Sequence, residues 1–332
     1  MIFDARNMMR AAIAIEKGVV RCEEVSIPVP ADDHVLVRTM AASICGSDLH
    51  MVNTGGSMHA FPAMPGHPGH EAVGEVIESK SEKFSVGDIV LTTPHIWHSR
   101  CFAEYQAVDD AHVLKLSSDV DVDTITLSQQ LGTVVYAAKR LPASLEGQSC
   151  VVIGQGSAGL FWDFQLKLLG AEKVFSIEPL SWRRDLGLRY GVDQAIDVTG
   201  DDAIDAVNDM TGGIGVDLVV EAVGSTETLS QAFHVVRDQG RVVLFGLPES
   251  ENPVPFDYSQ MFKSRANAFT VLGSQDEVGL KSYAEAVRLF SSGQIDVAPI
   301  ISHRFNIADI DRAFDVARER VDGAVKIGVT FD

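Results

Sequence analysis

Apolar and polar positions follow two different rhythms along this chain of 332 residues. Over the first 120 residues the apolar runs are short and punctuated by Gly, Pro and charged turns. Met9–Ile15 and Val19–Val25 read as strands joined through Glu16-Lys17-Gly18, a plausible hairpin. His34–Ile44 is a longer strand, and Ala72–Glu78, Asp88–Leu91, Phe102–Val108 and Val113–Leu116 follow. This part reads as an all-β unit. After a helical stretch at Asp123–Leu141 the rhythm changes, and strand-like apolar runs alternate with helix-length amphipathic ones. Strands are expected at Cys150–Ile153, Val174–Ile177, Gln194–Asp197, Asp217–Glu221, Arg241–Phe245 and Phe269–Leu272. Helices lie between most of them, at Ser181–Tyr190, Asp201–Met210 and Thr226–Val236. That alternation predicts about six parallel strands in a doubly wound sheet. The tail gives a helix (Val278–Ser291), a strand (Ile300–Phe305), a helix (Ile307–Arg318) and a strand (Val325–Phe331). It is expected to rejoin the N-terminal unit.

The organising stretch is Cys150–Glu178. Cys150–Ile153 is apolar throughout, as a strand buried on both faces must be. It runs straight into Gly154-Gln155-Gly156-Ser157-Ala158-Gly159, and a helix-length segment follows to Leu169. Gly154 allows the tight turn, Gly156 a close backbone approach to a pyrophosphate, and Gly159 close helix–strand packing. The amides of Ser157 and Ala158 at the helix start then face the phosphates, where the helix dipole favours an anion. Glu178 closes the next strand at the position of a carboxylate that accepts from ribose hydroxyls and repels a 2′-phosphate. Strand, glycine loop, helix, strand and acid together predict a dinucleotide site, with NAD favoured over NADP. Arg183 and Arg184 follow within one turn and are the contrary signal.

Composition narrows the class. The length suits two domains, and 46% hydrophobic with 22% charged residues is that of a globular protein. No apolar run approaches the roughly 20 residues of a membrane span. The stretch MIFDARNMMR has neither an apolar core nor a cleavage pattern. Four cysteines (Cys22, Cys45, Cys101, Cys150) without framework spacing point to a reducing, cytoplasmic setting. A net charge of −19 argues against nucleic acid and anionic membranes as partners. A small-molecule substrate is compatible with that charge.

The polar chemistry of the β unit gathers at Cys45-Gly46-Ser47-Asp48-Leu49-His50 and Gly69-His70-Glu71. Thiolate and imidazole are preferred zinc ligands, so Cys45 and His70 are the candidate pair. Taken alone, Cys45 reads first as a buried small hydrophobe, and loop polars are the lesser reading of Asp48 and His50. Their company changes the reading. Ser47 can pass a proton from an alcohol, His50 can relay it outward, and Asp48 can orient a ligand histidine.

These motifs, followed by this nucleotide unit, resemble the zinc-dependent medium-chain alcohol and polyol dehydrogenases. The resemblance runs from Met9 to Phe331 and includes Phe245-Gly246-Leu247-Pro248 and Leu272-Gly273-Ser274. It implies an α/β architecture: a GroES-like β-rich catalytic domain (1–129 and 273–332) around a Rossmann domain (130–272). It implies one catalytic zinc held by Cys45 and His70, with Glu71 coordinating in turn. It places Ser47 in the proton relay with His50 further out, Arg183 along the adenosine, Leu247 near the nicotinamide and Lys326 near the pyrophosphate. Homodimers or homotetramers are implied as well. Two departures stand out. The family's third ligand, a Cys or Glu, falls here on Gln129. The family's four-cysteine lobe is missing, and only His95, His98 and Cys101 occupy that region, where a second metal is the lesser reading. The rival functions are a zinc-free enone or quinone reductase on the same scaffold and a cofactor-binding protein without turnover.

Overall fold

The computed structural model of the chain describes residues 7–55, 60–250 and 252–332. Residues 1–6, read above for a targeting signal, and 56–59, within the loop after the Cys45 motif, lie outside them. The chain divides into two compact units, Met1–Thr133 with Gly273–Asp332, and Val134–Leu272. Among the described residues, no helix is long and apolar enough to cross a membrane.

The second unit is a six-stranded parallel sheet. In spatial order its strands are Gln194–Ile196, Lys173–Ile177, Ser149–Ile153, Val216–Glu221, Val236–Leu244 and Asn267–Thr270. In chain order this is 3-2-1-4-5-6, the doubly wound arrangement that binds dinucleotides where the order reverses. Ser149–Ile153 is central, and Cys150, Val151, Val152 and Ile153 are all at most 1% exposed. On one face Val151 and Ile153 pack with Val219 against Ala203, Val207 and Phe233 of the helices Gly200–Thr211 and Thr226–Val235. Gly212 ends the first of these in the left-handed conformation that glycine tolerates best.

The first unit is built on His34–Ile44. One edge of this strand pairs with Ala72–Ser79 along most of its length. The other pairs with Tyr105–Asp109 over residues 34–38 and with Lys326–Thr330 over residues 41–44. The tail therefore completes the sheet that the N-terminal segment starts. Val35, Val37, Val76, Val90, Val108 and Val113 form one buried cluster, the inward set of a period-two pattern. A second core gathers Val52, Phe102, Ile310, Phe314 and Val329.

Three elements differ from the sequence reading. Asp123–Leu141 is two helices, Val122–Ile125 and Ser128–Ala138. At the break, Thr126 Oγ1 donates to the Val122 carbonyl (2.7 Å) and Ser128 Oγ to that of Ile125 (2.6 Å), offering the backbone a local alternative to a continuous helix. Gly46–Thr54 and Tyr258–Ser264, read as loop or left unread, are helices. Residues 130–133, in the helix Ser128–Ala138, cluster with the first unit.

Candidate active site

The site lies where three strand ends meet. Cys45 directly follows His34–Ile44, Glu71 directly precedes Ala72–Ser79, and Lys326 opens Lys326–Thr330. Both neighbours run antiparallel to the central strand, so one exit and two entries fall on the same edge. Sheet pairing thus fixes three polar groups that lie far apart in sequence.

Cys45 is also the residue that caps the helix Gly46–Thr54. Its backbone N–H donates to Asp48 Oδ2 at 2.8 Å, while Asp48 Oδ1 accepts from His70 Nδ1 at 2.9 Å. The fully buried Asp48 carboxylate therefore orients both candidate ligands, and it fixes Nε2 as the acceptor nitrogen of His70. Ser47 Oγ lies 3.5 Å from that nitrogen. His50 is half-buried one turn further along the helix, on the same side as Ser47. Burial alone would lower the His70 pKa. The Asp48 charge and hydrogen bond, followed by Cys45, outweigh it and hold the ring well above its ordinary value.

Ligand atoms of Cys45, His70 and Glu71 lie within 4.8 Å of one another, and they form the one such group among the described residues. Glu71 is wholly buried. Its Oε2 accepts from Ser43 Oγ (2.5 Å) and meets Lys326 Nζ (2.6 Å), while its Oε1 has no partner. Burial would raise the Glu71 pKa, but Lys326 and then His70 pull it below the usual value. A buried carboxylate oxygen without a donor needs a cation or a proton. Thiol, imidazole and carboxylate are the donors zinc takes, so these residues fit that metal.

Lys326, expected at the pyrophosphate, is 1% exposed and its ammonium is committed to Glu71. A lysine at that depth requires a counter-charge, and the strand pairing supplies one. Beside Gln129, the expected third ligand, Gln130 brings its amide to the candidate site. Gln130 Nε2 lies 3.5 Å from Cys45 Sγ, and its Oε1 is buried without a partner. Of the three residues read as a second metal group, Cys101 is fully buried in the apolar core, and its thiol donates to the Glu71 carbonyl (3.6 Å). Burial pushes its pKa well up. His95 instead pairs with Asp276 (3.1 Å).

In the second unit Gly154 turns the chain with φ +91°, which a side chain would strain, and Gly156 caps the following helix. A Cβ on Gly159 would lie 1.9 Å from the Gly154 carbonyl oxygen, so the helix approaches the loop at a distance that admits no side chain. Glu178 is 4% exposed and accepts from the backbone N–H groups of Gln155 (2.9 Å) and Leu180 (3.0 Å). Arg184 donates to the carbonyls of Glu178 and Pro179, whereas Arg183 lies beside Gly156. Leu247 packs its carbonyl against Gly224, in the loop after Val216–Glu221. Ser157 and Ala158 open the helix that follows.

Comparison with known proteins agrees with this construction. Residues 31–118 match the alcohol dehydrogenase GroES-like domain, and residues 160–292 the zinc-binding dehydrogenase domain. The chain is 31% identical to the L-threonine 3-dehydrogenase of Pyrococcus abyssi over 91% of its length and 93% of the relative's. It is 28% identical to that of Bacillus subtilis over 90% and 92%. The solved 2R,3R-butanediol dehydrogenase of Bacillus subtilis superposes with a TM-score of 0.82 at 22% identity, covering 98% of this chain and 100% of that one. A chain with this paired architecture, this metal-fitting cluster and these relatives belongs to the zinc-dependent medium-chain dehydrogenase family.

Proposed function

We propose that the protein oxidises a secondary hydroxyl of a small alcohol, polyol or hydroxy amino acid, with NAD as the hydride acceptor. The convergence of Cys45, His70 and the partnerless Glu71 Oε1 carries this reading. Cys45 and His70 would hold the zinc, with Glu71 and the Gln130 amide as the donors that complete its shell. When bound, zinc supplies Lewis acidity that lowers the pKa of the substrate hydroxyl. The chain does the rest. Asp48 keeps the His70 ring in one tautomer and aims Nε2 at the site. Ser47 Oγ takes the substrate proton and releases its own towards His50 and solvent. Lys326 holds Glu71 ionised. Assay of NAD reduction over primary alcohols, secondary alcohols, polyols and L-threonine, with zinc measured on the same sample, tests the reading. Turnover without metal would sink it in favour of a zinc-free reductase. A cytoplasmic homodimer or homotetramer is part of the same proposal, and sedimentation would decide the assembly.

Cofactor choice follows from Glu178, a buried carboxylate where ribose hydroxyls would reach it. Hydrogen bonds to a charged group contribute about 1.5–3 kcal/mol, so Glu178→Ala should lose roughly ten- to a hundredfold in kcat/KM with NAD. NADP should change little, and the preference for NAD should narrow. A natural protein that uses NADP as well as NAD would contradict this role for Glu178.

The amide at the metal centre yields a third expectation. Cys45 and Glu71 each bring one negative charge, Lys326 offsets that of Glu71, and a neutral amide adds none, where a carboxylate in that place would add one. Gln130→Glu should therefore slow zinc release to a chelator by roughly tenfold, the scale on which changes around a metal alter its affinity. Gln129→Glu should leave the rate near that of the natural protein. The reverse pattern would return the role to Gln129.

A further inference from the structure

Asp163 is a buried acid that the reaction does not use. It lies within the helix Ser157–Leu168, in the otherwise apolar run Leu160-Phe161-Trp162-Asp163-Phe164, and is 0% exposed. Its Oδ1 accepts from Gln155 Nε2 at 3.3 Å. Asp163 Oδ2 and Gln155 Oε1 are both buried without a partner. Gln155 is itself fully buried, in a slot made by two glycines. A Cβ on Gly187 would fall 2.4 Å from its Oε1, and one on Gly159 3.4 Å from its Nε2. The slot is shaped for this amide.

Among the described residues, no charge compensates the acid. On its own helix, Lys167 is paired with Asp193 at 2.7 Å. On the facing helix Ser181–Tyr190, Arg184 is bonded to carbonyls, Arg183 lies beside Gly156, and Asp185 and Arg189 are exposed. On the sheet, Glu178 is held by backbone amides. Burial pushes the Asp163 pKa well up, opposed only by the Gln155 hydrogen bond. As a carboxylate, Asp163 would leave two acceptors facing no donor. One proton on Oδ2 supplies that donor and closes a two-bond ring between acid and amide.

We propose that Asp163 is a neutral acid that locks the Gln155 side chain beneath the glycine loop, and so positions the Gln155 backbone N–H that holds Glu178 for the ribose. The proposal rests on the reading of that loop as the NAD site. Asp163 is a positioning residue: it acts through Gln155 and Glu178 and touches no cofactor. Its pKa in the folded protein exceeds that of the unfolded chain. Its contribution to stability is therefore complete below the ordinary carboxylate value and is lost as pH rises towards the folded value. Asp163→Asn keeps the shape and both hydrogen bonds without that dependence.

The test combines infrared difference spectroscopy with cofactor titration on the full chain. At neutral pH, the spectrum of the natural protein minus that of Asp163→Asn should show the carbonyl stretch of a protonated acid. Asp163→Asn should bind NAD within about twofold of the natural protein and melt at a higher temperature near neutral pH, with the gap closing in acid. Asp163→Leu, which strands the Gln155 amide, should weaken NAD binding about tenfold and leave zinc content unchanged. Absence of the acid band, or a loss of NAD affinity in Asp163→Asn equal to that in Asp163→Leu, would overturn the proposal. If the natural protein shows the band but binds no NAD, the positioning role and the reading of the loop fall together. If it binds NAD without the band, only the role of Asp163 falls.

Discussion

Cys45→Ala is expected to hold no zinc and to lose about a thousandfold in kcat/KM, since a Lewis acid contributes several kcal/mol to such a step. NAD affinity should stay within about twofold of the natural protein, because the glycine loop and Glu178 belong to the other compact unit and share no partner with Cys45. The size of the effect comes from the arrangement around the thiol. Asp48 orients His70 and the Cys45 backbone together, so loss of the sulfur removes the one thiolate and leaves an imidazole, a neutral amide and a carboxylate already paired with Lys326. Metal analysis, steady-state kinetics and NAD titration on one preparation would check it. Retention of zinc in the variant would mean that Cys45 is not a ligand. Loss of NAD binding along with the metal would mean that the two sites are not separable.

The second large effect is on stability. Lys326 and Glu71 are 1% and 0% exposed and sit 2.6 Å apart. Removing one member of a buried pair leaves the other as an uncompensated charge, at a cost of about 3–5 kcal/mol. Lys326→Met should destabilise the protein by that amount in denaturant titration, measured without metal to isolate the pair. Adding Glu71→Gln removes the stranded charge and should recover most of the loss. A double-mutant cycle gives the coupling directly, and a value near zero would show that the ammonium and carboxylate do not depend on each other.

How much of this was legible in the sequence depended on whether the signal was local. Strand, glycine loop, helix and acid occupy one continuous stretch, and the structure keeps them in that order. The Cys45 and His70 motifs were legible by residue type. Their helix was not, because Gly46 and Ser47 open it with weak formers and Asp48 serves as a cap, which reads as a loop. Gln130 escaped because residue type cannot distinguish two adjacent glutamines; only helix phase does. Lys326 did carry a signal, a lysine opening an apolar strand, but its partner lies far away in sequence. Asp163 likewise stands as an acid in an apolar helical run, which on its own predicts a buried proton or a partner.

The strand that begins at Lys326 has a consequence for how the protein is made. Ribosomal synthesis delivers Cys45, His70 and Glu71 early, and Lys326 about 280 residues after Cys45, with the whole parallel-sheet unit produced in between. Until then His34–Ile44 has an unpaired half-edge, and Glu71 faces a gap where its ammonium will be. The growing chain can complete its nucleotide-binding unit while the other unit is still open. The last strand to join the sheet at the candidate site is this one, so it acts as a checkpoint: a chain arrested before it carries the candidate ligands without the ammonium that pairs with Glu71.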